Sequence, residues 1–220
     1  MTDCCSPKGY RTMFSPRSAR SEAKRYRRSG LDPLSRRVAR VVREFGVTGR
    51  TILEVGGGIG AIEIDLVTAG AAGAVNVELT PTYEESAMEL LHEAGLTDRV
   101  ERRIGDFAET SAEIPMADIV ILNRVLCCYP DMPRLAAAAA QHARTLLVLT
   151  FPTGRWWIRS GLALANLGFR LFRVEFHIFT HAPARIVAEA ERHGLRARIS
   201  RRGLVWQMVA LERIGDPATS

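Results

Sequence analysis

Residues 53–60 read Leu53-Glu54-Val55-Gly56-Gly57-Gly58-Ile59-Gly60. No other stretch limits the fold of the chain as strongly. Glycines let the backbone turn sharply and let a ligand approach it closely. Here they fall where an apolar run, Thr51–Val55, gives way to a helical pattern over 61–69. A strand, a glycine loop and a helix in that order form the first unit of an open α/β sheet. The loop alone leaves its ligand open. Gly56, Gly58 and Ala61 satisfy the spacing of a dinucleotide-binding fingerprint, and Glu78 lies 22 residues past Gly56, where a ribose-binding acid belongs.

The rest of the chain repeats the alternation. Strand patterns cover Thr51–Val55, 74–78, Val100–Ile104, 118–122 and 145–150. Helical patterns cover 61–69, 81–94, a short turn after Asp106, and 133–142. The helix over 81–94 starts with Thr80 as cap and Pro81 in the first turn. Such alternation predicts a mostly parallel sheet with helices on both faces. The C-terminal part departs from it. After a helix over 183–193 ending at Gly194 come two strand-like runs, 195–200 and 204–211, split only by Arg201-Arg202-Gly203. So short a connection demands an antiparallel hairpin. The expected sheet has seven strands.

Charge divides the chain unevenly. Residues 1–50 hold 13 Lys/Arg against 4 Asp/Glu, whereas residues 51–220 hold 17 against 20. The basic character therefore belongs to an N-terminal arm. Two helices are predicted there. One, over 18–28, is almost wholly polar; the other starts with Asp32 as cap and Pro33, carries Leu34, Val38, Val41, Val42 and Phe45 at helical spacing, and ends at Gly46. That stripe must pack on the flank of the main domain. The division expected is a basic helical arm over 1–46, a ligand-binding domain over 47–213 and a tail over 214–220. The arm reads either as a solvated helix or as a surface for nucleic acid, an anionic membrane or an acidic partner.

A chain of 220 residues, 47% of them apolar, buries enough surface to fold without disulfides or metal. The cysteines form two adjacent pairs, Cys4-Cys5 and Cys127-Cys128, and neither has zinc-ligand spacing; no metal is expected. The first thirty residues lack the apolar core of a secretory leader. The longest mostly apolar stretch, 161–169, is far below the ~20 residues of a membrane span. The expected location is the cytoplasm.

Three features turn the glycine loop away from a dinucleotide. Glu54 stands at the strand end, where a pyrophosphate would meet repulsion, but a ligand bearing an ammonium and a sulfonium would not. Gly105-Asp106-Phe107 follows the third strand and supplies a carboxylate for an adenine amino group and an aromatic ring beside it. The chain also closes in a hairpin, without the second catalytic domain usual in a nicotinamide dehydrogenase.

On these residues the chain resembles the class I S-adenosylmethionine-dependent methyltransferases over roughly 47–213. The resemblance implies a Rossmann-like methyltransferase fold and S-adenosyl-L-methionine as cofactor. It implies that Gly56, Gly58 and Gly60 touch the cofactor with Glu54 beside them. Glu78 with Leu79 would hold the ribose, Asp106 with Phe107 would flank adenine, and Asn123, with Arg124 and Val125, would line the methionine end. The family often has Asp in place of Glu54. Leu126-Cys127-Cys128-Tyr129-Pro130 further resembles the magnesium-protoporphyrin O-methyltransferase branch.

On the acceptor side the residues leave more open. A small, bulky or apolar acceptor is expected, with O-methylation favoured. A base is needed only where the acceptor must lose a proton. The candidates are His177 and His181, just before the late helix, and Tyr129. The insert over 154–173 carries Trp156-Trp157, Leu162, Leu164, Leu167 and Phe169 among Arg155, Arg159, Arg170 and Arg173. It reads as a helix completing the core, as a lid over the acceptor, or as an interfacial helix on a membrane. Three other functions compete: a nucleic-acid-binding or -modifying protein using the arm, a non-catalytic module that keeps the cofactor fold as a scaffold or sensor, and a NAD-dependent dehydrogenase. Few aromatics in the arm argue against the first. Oligomeric state is not legible.

Overall fold

The structure, a computed structural model, describes Tyr10 and residues 13–215. Cys4 and Cys5 lie outside the described residues. Seven strands form one sheet: β1 (Thr51–Val55), β2 (Gly73–Glu78), β3 (Val100–Ile104), β4 (Ala117–Asn123), β5 (Ala143–Pro152), β6 (Leu195–Arg202) and β7 (Trp206–Arg213). Their order is β3-β2-β1-β4-β5-β7-β6. All neighbours pair parallel except β7, which runs antiparallel to both β5 and β6. This is a Rossmann-like methyltransferase fold, mostly parallel with an antiparallel C-terminal hairpin. The hairpin turn falls later than its arginines suggest. Arg201 and Arg202 still pair with Met208 and Gln207, and Gly203-Leu204-Val205 make the turn. Pairing continues through both exposed arginines, although the alternation of burial along β6 ends at Ser200.

The helices are α1 (Pro16–Ser29), α2 (Pro33–Glu44), α3 (Ala61–Thr68), α4 (Glu84–Glu93), α5 (Phe107–Thr110), α6 (Met132–His142), α7 (Trp156–Leu171) and α8 (Pro183–Arg192). Strand alternation sends successive side chains to opposite faces. Ile52, Ile119, Ile121, Leu146, Val148 and Met208 face the layer of α1–α4. Leu53, Val120, Leu122, Leu147, Leu149 and Val209 face α5, α6 and α8. The sheet is covered on both sides, as a parallel sheet requires.

The arm helices belong to this core. Val38, Ala39, Val41 and Val42 of α2 are fully buried beside Ile119 and Ile121, and Ala19 and Ala23 of α1 join them. The Asp32 carboxylate caps α2 by accepting from the Leu34 amide at 3.0 Å. The helix stops at Glu44, with Gly46 at φ +87° just beyond it. Several of the arm's basic residues are engaged within the molecule. Arg27 donates to Glu93 at 2.6 Å and to Glu89 at 3.0 Å, and Arg43 pairs with Asp65.

One element does not join the core. No residue of α7 is buried, so the reading of the 154–173 insert as a core-completing helix is overturned. Its apolar residues outnumber the inward positions that one helix face can supply. Among the described residues no helix is long and apolar enough to cross a membrane.

Candidate active site

A cavity of about 260 Å³ opens at the C-terminal ends of β1, β2 and β4. The sheet order reverses between β1 and β4, and ligands of open α/β sheets bind at that point. Eight of the nine residues expected to hold the cofactor line it: Glu54, Gly56, Gly58, Glu78, Leu79, Asp106, Phe107 and Asn123. Gly60 is absent from the lining. It caps α3 at φ +75°, and a Cβ there would fall 2.3 Å from a Glu63 carboxylate oxygen, so its need for glycine is explained by the helix start.

The loop geometry demands glycine at two positions facing the cavity. Gly56 and Gly58 have φ of +67° and +59°, in the region that side chains disfavour. A Cβ on Gly56 would also meet Val125 at 2.7 Å. The acid ending β2 is preset by the loop. The Gly58 amide donates to one oxygen of Glu78 at 2.9 Å, and the Leu79 amide to the other at 2.9 Å. Burial nonetheless pushes the Glu78 carboxyl up.

Beneath the loop lies a buried polar network. Glu54 accepts from the Glu63 backbone amide at 3.1 Å. Glu63 in turn accepts from Asn76 at 2.7 Å and from Arg102 at 3.3 Å. Arg102 also donates to the Gly58 carbonyl at 3.0 Å, tying the network to the loop. Burial, helped by the neighbouring Glu63 charge, pushes the Glu54 carboxyl well up. Burial also raises Glu63, to about 6, against the opposing pull of Arg102.

On the other wall, Asp106 accepts from the Ala108 amide at 2.9 Å and from the Tyr129 hydroxyl at 2.9 Å. Asn123 is fixed between Thr150, which donates to its side-chain oxygen at 2.8 Å, and Ser35 of α2. Arg124, at φ +65°, donates to Asp32 and lies 5.7 Å from the centre of the Trp206 ring. The arm thus closes the cavity. Tyr10, Phe14, Glu22, Asp32 and Ser35 line it from above, and the Tyr10 hydroxyl donates to the Cys128 carbonyl. Tyr26, also in the arm, packs on the core instead. Of the proposed bases, Tyr129 lines the cavity, whereas His177 and His181 do not. His181 is turned to the Tyr129 carbonyl at 2.9 Å, and His177 packs against Phe179.

Five carboxylates therefore line the cavity, Glu22, Asp32, Glu54, Glu78 and Asp106, with Arg124 the one basic side chain among the lining residues. In a chain of net charge +6, that inversion selects for a cationic ligand and against a pyrophosphate.

Comparison with known proteins agrees. A family profile described as the O-methyltransferase domain matches residues 11–142. The chain belongs to the O-methyltransferase domain family. It is an S-adenosylmethionine-dependent methyltransferase, and the dehydrogenase reading is set aside. No curated protein matches the sequence. Among solved structures, magnesium protoporphyrin IX methyltransferase from Synechocystis PCC 6803 with bound S-adenosylhomocysteine aligns at TM-score 0.67 and 19% identity, over 82% of this chain and 81% of that one. An O-methyltransferase family protein from Burkholderia thailandensis aligns at TM-score 0.69 and 22% identity, over 93% and 62%. Mitomycin 7-O-methyltransferase aligns at TM-score 0.58 and 25% identity, over 81% and 53%. The methyltransferase therefore spans just over half the length of this last relative.

Proposed function

We propose that this methyltransferase transfers a methyl group to a hydroxyl of a small, bulky and largely apolar acceptor. The acidic lining of the cavity carries the cofactor assignment. The glycine loop, Glu54, Glu78 with Leu79, Asp106 with Phe107, and Asn123 are the residues we assign to S-adenosylmethionine. Their chemistry fits it: carboxylates for an ammonium and for ribose hydroxyls, an open backbone loop, and an aromatic ring with a carboxylate for adenine.

When bound, the cofactor supplies a methyl group activated by the adjacent sulfonium. The protein's task is to align the acceptor and exclude water. Tyr10, Phe14 and Tyr83 give the cavity an aromatic wall suited to a flat, apolar acceptor. Phe14 lies 6.3 Å from Tyr83 and 5.7 Å from Phe176, ring centre to ring centre, so the wall is braced from behind. A hydroxyl acceptor must lose its proton, and we assign that proton to Glu22. Its carboxyl lines the cavity from α1, and burial raises its proton affinity despite Arg25 nearby. Asp32 is a poorer acceptor. Burial pushes its carboxyl up, but Ser35 and Arg124 outweigh that and hold it below the ordinary range.

Relatives whose names include a porphyrin and a mitomycin as substrates favour the same acceptor class. The engagement of Arg27 and Arg43 with acidic residues of the body argues against a nucleic-acid role for the arm. Calorimetric titration with S-adenosylmethionine, S-adenosylhomocysteine and NAD, beside a Glu78→Ala variant, tests the assignment. Micromolar binding of the first two, lost in the variant, is expected. Binding of NAD alone would overturn it.

A further inference from the structure

Helix α7 presents an apolar face that no other described residue covers. Trp156, Ser160, Leu164, Leu167 and Leu171 fall at i, i+4, i+8, i+11 and i+15, so they share one side of the helix. All five are exposed, Trp156 by 74% and Leu171 by 72%. The half-buried residues Ile158, Leu162, Asn166 and Phe169 share the other side. That side is tethered to the body. Asn166 exchanges two 2.8 Å hydrogen bonds with the Ile178 backbone, and Phe169 packs 5.8 Å from Phe176. The exposed face is therefore held outward by design of the opposite one.

The β6–β7 turn extends the patch. The Thr153 amide, three residues before α7, donates to the Val205 carbonyl at 2.8 Å, which places exposed Leu204 and Val205 beside the helix start. Of the twelve large hydrophobics exposed among the described residues, eight lie in α7, its C-terminal neighbour Phe172 and this turn. Such concentration marks an interaction site.

Charge selects the partner. No Asp or Glu falls between Asp131 and Glu175, while Arg155, Arg159, Arg170 and Arg173 bracket the stripe and Arg201 and Arg202 flank the turn. A symmetric pairing of two copies through this face would set the four arginines of the stripe against one another with no acid between Asp131 and Glu175 to answer them, while Arg201 already reaches Glu44 at 4.0 Å. An anionic lipid surface answers them all, and it takes Trp and Leu into its interfacial layer.

We propose that α7 and the β6–β7 turn dock the protein on an anionic membrane surface, with the helix lying in the headgroup plane. The helix is too short and too arginine-flanked to span the bilayer. The docked face connects to the active site through aromatic contacts. Phe169 touches Phe176, which lies 5.7 Å from both Tyr10 and Phe14 in the cavity wall. Docking thus sets the cavity's aromatic wall next to the phase in which an apolar acceptor dissolves.

Co-sedimentation of the full chain with vesicles tests this without any activity assay. Binding is expected to vesicles of equimolar phosphatidylcholine and phosphatidylglycerol, with a blue shift of tryptophan emission. The triple variant W156S/L167S/L171S should bind on the order of a hundred-fold more weakly. Its thermal unfolding should be unchanged, because all three side chains are exposed. R159E/R170E should lose at least about 25-fold, at about five-fold per arginine. No binding, or undiminished binding by the triple variant, would overturn the proposal. So would equal binding to phosphatidylcholine alone. Self-association that the triple variant abolishes, without vesicle binding, would give the face to a second copy instead.

Discussion

The backbone amide of Gly58, in the loop after β1, donates at 2.9 Å to the carboxylate of Glu78 at the end of β2. One hydrogen bond thereby locks the glycine loop to the acid that the cofactor ribose would meet. The Glu78 carboxylate keeps further accepting capacity, because its backbone donors Gly58, Leu79 and Thr80 leave part of its roughly four accepting positions open. Hydrogen bonds to a charged acceptor contribute about 1.5–3 kcal/mol each. Glu78→Ala should weaken S-adenosylmethionine binding on the order of a hundred-fold or more by calorimetry. Glu78→Gln, which keeps one oxygen, should lose roughly ten-fold. Equal affinity in the wild type and both variants would remove Glu78 from the site.

How much of this site could be read from the sequence follows from where its residues lie. Gly56, Gly58, Glu78 and Asp106 belong to the β1–β3 half of the sheet, where chain order fixes spatial order, and the glycine spacing, the strand pattern and the family resemblance together pointed to them. Glu22 and Phe14 come from the arm, whose position over the cavity depends on packing of α2 against β4 and on the Asp32–Arg124 pair. Nothing local encodes that. Asp32 was legible as a helix cap and Tyr83 falls inside the helix expected over 81–94, but neither was legible as cavity wall. The buried Glu63–Asn76–Arg102 network escaped for the same reason: it joins α3, β2 and β3 through side chains whose burial only the assembled sheet creates. His177 and His181 looked functional by type, yet the backbone carries them to other partners.

The glycine loop separates steric from conformational demands. Gly56→Ala adds a Cβ 2.7 Å from Val125 as well as a disfavoured φ, so either the loop or Val125 must move. Gly58→Ala meets nothing closer than the Tyr83 ring at 3.5 Å. Its cost should be the backbone strain alone, about 1–2 kcal/mol. Gly56→Ala should therefore be the more destabilising of the two in urea unfolding and should also lose cofactor binding. The reverse order would mean that Val125 yields freely.

Proton removal by Glu22 predicts a split between binding and turnover. Glu22→Gln keeps the shape of the wall and removes the proton acceptor. With a phenolic acceptor, release of S-adenosylhomocysteine should slow by roughly 10²–10⁴-fold, the usual contribution of a general base. Cofactor affinity should stay within about two-fold, less than one lost neutral hydrogen bond would change it. A parallel loss of cofactor binding would make Glu22 a structural part of the cofactor pocket. Unchanged turnover would hand the proton to solvent.

Glu63 makes stability depend on pH in an unusual direction. Most paired carboxylates have lowered pKa values and lose stability as pH falls, as Asp32 and Asp118 should below about 3.8. Glu63 is wholly buried, and burial raises it from 4.5 to about 6. Between those values the folded chain holds more protons than the unfolded chain, so stability falls as pH rises. The contribution is complete below pH 4.5 and is lost as pH passes about 6; it corresponds to about 2 kcal/mol. The raised carboxyl of Glu54 acts in the same direction. Urea unfolding followed from pH 4.5 to neutrality should show the decline, and Glu63→Gln should flatten it. Relative to wild type, the variant should gain about 2 kcal/mol across that window, whatever it loses at all pH values with the Arg102 pair. Parallel profiles would mean that Glu63 titrates at its ordinary value in the folded chain.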